Sequence, residues 1–247
     1  YTEIMSVIND NKTNFTSTVD YNSTVIVSAQ GQSMEMPLTI QCVNKVDGAN
    51  LYEKDLIDMS QMGVNMDMTV WYLETTVDEE TTGKAYLQSG NAKYQYTATW
   101  AQICATAGMD ADDIFNPLYD FSDVSFDDVK FFVDDNTEDE EDVAPFFRLI
   151  LKGDEAEEFA NKRLGSMKDT MPDATMKYSD IEYRFVLNDD GAFDHAEIYF
   201  TVTMKATVEG LKFTFEYDMK GTITLTDLGT TVVTAPANAD SFTDLGN

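Results

Sequence analysis

Basic residues are scarce in this 247-residue chain: sixteen lysines and arginines stand against 45 aspartates and glutamates, for a net charge of −29. Phosphate binding needs clustered cations, so nucleic acid is excluded as a partner. An anionic membrane surface would repel the domain as well. Histidine is scarcer still. His195, the single one, sits between Asp194 and Ala196 on the polar parity of a strand pattern. It reads there as a surface residue, not as the base of a nucleophilic triad. The chain carries no P-loop, no GxGxxG and no G-x-S-x-G. Paired carboxylates can hydrolyse glycosides, but among 45 acids no spacing singles out a pair. The sequence is read as non-enzymatic.

Cysteine is nearly absent too. Cys42 and Cys104 are too far apart for a CxxC redox pair and too few for a zinc site. They form either a disulfide, if the protein is exported, or two separate buried thiols. The second reading is favoured because Cys42 falls on the apolar parity of its strand. The acidic run "DDNTEDEED", residues 134–142, lacks the D-x-[DN]-x-[DN]-G spacing and following Glu of a calcium loop. It is read as a solvated loop, and no metal or cofactor is assigned. No apolar run approaches the roughly eighteen residues that cross a bilayer. Tyr1 does not open a natural reading frame and no signal peptide is present, so any targeting segment is expected to have been removed.

What the chain does have is alternation. It is 43% hydrophobic and 12% aromatic, which marks a globular protein with a real core. "YTEIMSVINDN" spaces Ile4, Val7 and Ile8 for a short helix. Val25, Val27 and Ala29 lead into a turn at Gln30–Gly31, and Met34, Met36, Leu38, Ile40 and Cys42 return on one face. After a turn at "VDGAN" and the stretch "LYEKDLIDMSQM", the segment "MGVNMDMTVWYLE" puts Val64, Met66, Met68, Val70 and Tyr72 on one parity, with Asn65, Asp67 and Thr69 between them. Two short strands flank Ser89–Gly90. "WAQICATAGMDADDIFNPLYDF" reads as partly helical, with Asp110 as an N-cap. "PFFRLIL" is a strand, and Asp154 caps a helix carrying Ala156, Phe159, Ala160, Leu164 and Met167 as one stripe.

The final third is the most regular. Ala196, Ile198, Phe200, Val202, Met204, Ala206 and Val208 alternate with polar residues, as do Leu211, Phe213, Phe215, Tyr217, Met219, Gly221 and Ile223. A two-residue loop at Glu209–Gly210 places Val208 opposite Leu211, Ala206 opposite Phe213 and Ile198 opposite Gly221. Strands of some fifteen residues run about 50 Å and must twist and curl, and their apolar face needs a cover. The expected fold is therefore α+β. A long, strongly curved antiparallel sheet, an unclosed half-barrel, wraps around a few helices in a single domain over 1–247. Burial of charge is costly, so nearly all the aspartates and glutamates are expected on the outer face and in loops.

The order of helix, methionine-rich meander, central helices, strand, helix and long terminal strands resembles the LolA and LppX/LprG-type lipoproteins and lipoprotein-localisation factors. Its local marks are "GQSMEMPLTI", "MGVNMDMTVWYLE" and the closing "DLGTTVVTAPANADSF", which is similar to the end of Gram-positive surface lipoproteins. The resemblance covers nearly the whole chain. It implies a barrel packed around helices, a hydrophobic cavity for acyl chains, and a lipidated cysteine ahead of Tyr1. The chain has three arginines, Arg148, Arg163 and Arg184, and Arg184 falls on the polar parity of its strand, unlike the interior arginine of LolA.

Methionine's unbranched, polarizable side chain fills irregular space or adapts to a variable apolar guest. The cavity-lining candidates are Met34, Met36, Leu38, Met66, Met68, Val70, Phe200, Met204, Phe213, Phe215 and Met219. The leading expectation is a monomeric, extracellular lipoprotein, held to a cell membrane only through a lipid anchor outside this chain, that binds a lipid or other apolar small molecule without catalysis or cofactor. The alternative is a surface interaction module whose concavity is filled by its own helices.

Overall fold

The computed structural model of the chain describes residues 13–77, 80–107, 129–132, 144–152, 156, 175–208 and 210–246. In chain order these form β1 (Asn14–Ala29), β2 (Gln32–Asp47), β3 (Asn50–Met59), β4 (Val64–Val77), β5 (Glu80–Ser89), β6 (Ala92–Thr97), α1 (Trp100–Ala107), β7 (Val129–Phe132), β8 (Phe146–Leu151), β9 (Thr175–Tyr178), β10 (Ile181–Leu187), β11 (Phe193–Val208), β12 (Leu211–Thr226) and β13 (Thr243–Asp244). No described helix is long and apolar enough to cross a membrane.

The chain divides into two compact units. The first comprises Tyr1–Val7, Tyr21–Leu38 and Leu118–Thr224; the second comprises Ile8–Asp20, Thr39–Pro117 and Leu225–Asn247. β1 and β2 contribute one end to each. The strand order is β2-β1-β12-β11-β10-β8-β7 in the first unit, with β9 also on β11, and β13-β6-β5-β4-β3-β2-β1 in the second. Neither order closes on itself.

In the first unit the terminal hairpin has the register its loop dictates. Val208 pairs with Leu211, Ala206 with Phe213 and Ile198 with Gly221. The pairing extends outward through β10 and β8, where Leu149 meets Tyr183 and Tyr183 meets Ile198. Leu149, Ile181, Tyr183, Phe185, Ala196, Ile198 and Ile223 are all buried. Gly221 is required in its rung: a Cβ there would lie 2.5 Å from Tyr21 Cε1 and 2.9 Å from Ile198 Cγ2. Small residues thus oppose large ones because the space is already taken.

The second unit is built on a rung of Val46, Leu51, Tyr72 and Ala85, joined by Phe15. Trp100 and Ile103 of α1 pack on this cluster with Leu225 and Leu228. Thr99 starts α1 by a reciprocal cap: its hydroxyl accepts from Gln102 N at 3.3 Å, and Gln102 Oε1 accepts from Thr99 N at 2.8 Å.

The α+β expectation is corrected here. The described residues are strand almost throughout, and α1 is the only α-helix with described bounds, beside two single 3-10 turns at Ser60–Met62 and Ala239–Ser241. Ala156 is helical and buried, as its stripe requires; the rest of that stripe, the N-terminal helix, Asp110 and the run 134–142 lie outside the described residues. The physical reason, in the second unit, is that chain without helix covers part of the sheet. Tyr52, Trp71 and Tyr86 form a cross-strand rung on the face the alternation assigns to water. Phe242, from the terminal segment, closes over it edge-on at 6.2 Å from Trp71 and 5.3 Å from Tyr86. Among the described residues, α1 covers the core face at the Tyr72 rung and the returning tail covers the opposite face.

Candidate functional site

Among the described residues, two clusters of side chains carry chemistry, one on each unit. In the second, the turn at Gly48–Ala49 pairs Asp47 with Asn50, and every further pairing of β2 with β3 follows from it. Moving away from the Val46–Leu51–Tyr72 rung, the same face shows Asn44–Glu53–Val70, then Cys42–Asp55–Met68, then Ile40–Ile57–Met66. Two carboxylates and a thiol therefore stand on the face that carries the methionines. Glu53 and Asp55 are exceptions to the expectation that nearly all the acids lie on the outer face and in loops.

The reactive atoms of Cys42, Glu53 and Asp55 lie within 4.8 Å of one another, and all three residues are half-buried. Burial, then the Asp55 charge, pushes the Glu53 carboxyl from 4.5 up to about 7. Burial likewise raises Asp55, although the Cys42 thiol beside it pulls the other way. The thiol itself is driven well up, chiefly by burial and then by Asp55. Cys42 is a free cysteine, so the disulfide alternative falls away for it. Asn44 donates from Nδ2 to Cys42 Sγ at 3.3 Å, while its buried Oδ1 has no hydrogen-bond partner among the described residues.

The first unit's cluster lies on the opposite parity of its strands. Arg148 on β8 and Arg184 on β10 are cross-strand neighbours. Both hold Glu182, Arg148 Nη2 at 2.8 Å from Oε2 and Arg184 Nε at 2.7 Å from Oε1. Burial alone would raise the Glu182 carboxyl, but the two guanidinium groups outweigh it and hold it low. Arg184 stacks 4.6 Å over the Tyr199 ring. Tyr199 donates to Glu197 Oε2 at 2.8 Å, and burial followed by that bond lifts its hydroxyl to about 12. His195 stands half-buried between carboxylates, with Nδ1 2.7 Å from Asp194 and Nε2 3.9 Å from Glu197. Charge-assisted hydrogen bonds such as those of Glu182 fix strand register.

The cavity-lining candidates are distributed between the units. Met34, Met36, Leu38, Phe200, Met204, Phe213, Phe215 and Met219 belong to the first; Met66, Met68 and Val70 belong to the second. Met36, Leu38 and Met204 are buried, whereas Met34 is 57% and Met66 37% exposed. Met68, Val70, Phe200, Phe213, Phe215 and Met219 are half-buried. The hairpin brings Met204 opposite Phe215 and Phe200 opposite Met219. Along β12, Phe213, Phe215 and Tyr217 stack at 6.1 and 6.5 Å. A separate cavity of about 560 Å³ in the second unit is lined by Gln88, Asn91, Lys93, Tyr94, Ser241 and Thr243 among others, and contains none of the candidates.

No protein-family model matches the chain, and no curated protein does. Among solved structures, a DUF1329 family protein from Desulfovibrio piger aligns over 95% of this chain and 92% of its own, at 11% identity and a TM-score of 0.25. At that score the likeness carries no argument about fold or activity. The resemblance to LolA and LppX/LprG-type proteins rests on the sequence alone.

Proposed function

We propose that this chain is a non-catalytic, exported surface lipoprotein that holds an apolar ligand, an acyl chain or lipid, against the β11–β12 face of its first unit. The observation that carries the reading is the ladder of Phe213, Phe215 and Tyr217, stacked along one side of β12 and only half-buried. Its cross-strand partners Ala206, Met204 and Val202 extend the same apolar face. Half-buried aromatics beside an adaptable methionine leave apolar area that a ligand removes from water, at about 25 cal/mol per Å². The sequence resemblance to lipoproteins with acyl-chain cavities supports the same ligand class. The surplus of acids supports a solvated monomer held to a membrane by its anchor alone.

The test is titration of delipidated protein with cis-parinaric acid, whose emission rises in an apolar site, alongside native mass spectrometry of gently extracted protein. Saturable emission and a co-purified lipid are expected. Phe215→Ser should weaken binding about tenfold, the loss expected for one large apolar contact, and Thr214→Ser on the other face should leave it unchanged. No saturable signal and no bound lipid would remove the carrier reading and leave the interaction module.

A further inference from the structure

We propose that Cys42, Glu53 and Asp55 form a binding site for a thiophilic divalent cation of the Zn²⁺ class, with the Asn44 side-chain oxygen as a fourth ligand. Three observations converge on one face of β2 and β3. The thiol and the two carboxylates are adjacent in register, Cys42 across from Asp55 and Glu53 across from Asn44. Their ligand atoms lie within 4.8 Å of one another. The buried Asn44 Oδ1 accepts no hydrogen bond from the described residues, although its own amide nitrogen reaches Cys42 Sγ at 3.3 Å.

An acceptor buried without a donor is costly, and a cation satisfies it. The same cation would relieve the crowding of acidic groups. No lysine, arginine or histidine pairs with Glu53 or Asp55 among the described residues, and such groups persist in interiors by pairing or by coordinating metal. Neighbouring chain does not supply the charge: Lys54, between the two acids, falls on the other parity, and Lys45 lies over the Tyr52 ring on that same far face.

Ligand type selects the ion. A thiolate excludes magnesium and calcium as preferred guests and favours zinc or cobalt, while the carboxylates and amide oxygen keep the site borderline rather than soft. Zn–S and Zn–O bonds of about 2.3 and 2.0 Å at tetrahedral angles put ligand atoms about 3.5 Å apart. Side-chain rotation on a fixed strand pair closes the remaining gap. On binding, the Cys42 S–H bond breaks, its proton passes to solvent, and the sulfur lone pair forms the metal bond; there is no redox change.

Purified, chelator-treated protein titrated with Co²⁺ reads this directly through the near-ultraviolet thiolate-to-cobalt charge-transfer band. The band should appear at one equivalent, survive Cys104→Ser, and be displaced by Zn²⁺ but not by excess Ca²⁺ or Mg²⁺. Cys42→Ser should abolish it, and Glu53→Gln or Asp55→Asn should raise the Co²⁺ dissociation constant at least tenfold, with circular dichroism showing that each variant is folded. Absence of the band in folded wild-type protein, its persistence in Cys42→Ser, or its displacement by Ca²⁺ would each overturn the assignment.

Discussion

Replacing Glu53 by glutamine should change how stability depends on pH. The carboxyl titrates at about 7 in the folded protein against 4.5 when free of the fold. Below 4.5 the group is protonated in both states and costs nothing. As pH rises from there, the unfolded chain releases the proton first, so folding must carry it or bury a charge, and stability falls until the folded group has also ionised. A separation of about 2.5 units corresponds to about 3 kcal/mol. The amide that replaces the carboxyl in Glu53→Gln has no proton to lose. In chelator-containing buffer, urea melts from pH 4 to 9 should find Glu53→Gln and wild type equal at the acid end. The variant should be about 3 kcal/mol more stable above pH 8. Asp55 titrates in both proteins, and its coupling to Glu53, one cause of the Glu53 shift, is part of the difference the melts read. Parallel curves would refute the placement of Glu53 on a desolvated face beside Asp55.

Other outcomes follow from packing and charge. Phe185 is fully buried, so Phe185→Ala should cost about 3–5 kcal/mol in denaturant melts; half-buried Phe215→Ala should cost about 1–2 kcal/mol, and Thr214→Ala under about 1 kcal/mol. Gly221→Ala must displace the Tyr21 ring and should cost about 1–3 kcal/mol, whereas a neutral result in the same melts would mean the ring moves freely. With a net charge of −29, the melting temperature should rise from low to moderate salt as self-repulsion is screened; a fall would show that ion pairs such as Arg148–Glu182 dominate.

The strands were legible wherever a turn and an alternation agreed. Glu209–Gly210 with its flanking parity yields the whole β11–β12 register, since a slip of one residue would expose Phe213, Phe215 and Val202 together. The same reasoning could have found the second unit's site. Counting back from the Gly48–Ala49 turn places Asp55 opposite Cys42 and Glu53 opposite Asn44, but "LYEKDLID" carries acids on both parities, so its pattern alone does not mark which face is dry. The Arg148–Glu182–Arg184 network joins two strands across a long gap in sequence, and no local pattern encodes which of many acids an arginine meets. The cover on the second unit's outer face was hidden for a different reason. Contact of Phe242 with Trp71 and Tyr86 depends on where the tail returns, which periodicity does not report.

The claim that an apolar ligand lies on the β11–β12 face is tested most directly by photo-crosslinking. Protein loaded with a diazirine-bearing fatty acid would be irradiated, digested and mapped by mass spectrometry. Saturable labels are predicted on Phe200, Met204, Phe213, Phe215 and Met219, suppressed by unlabelled fatty acid. Labels confined to the opposite parity at Lys212, Thr214 and Glu216, or labels that competitor does not suppress, would contradict it.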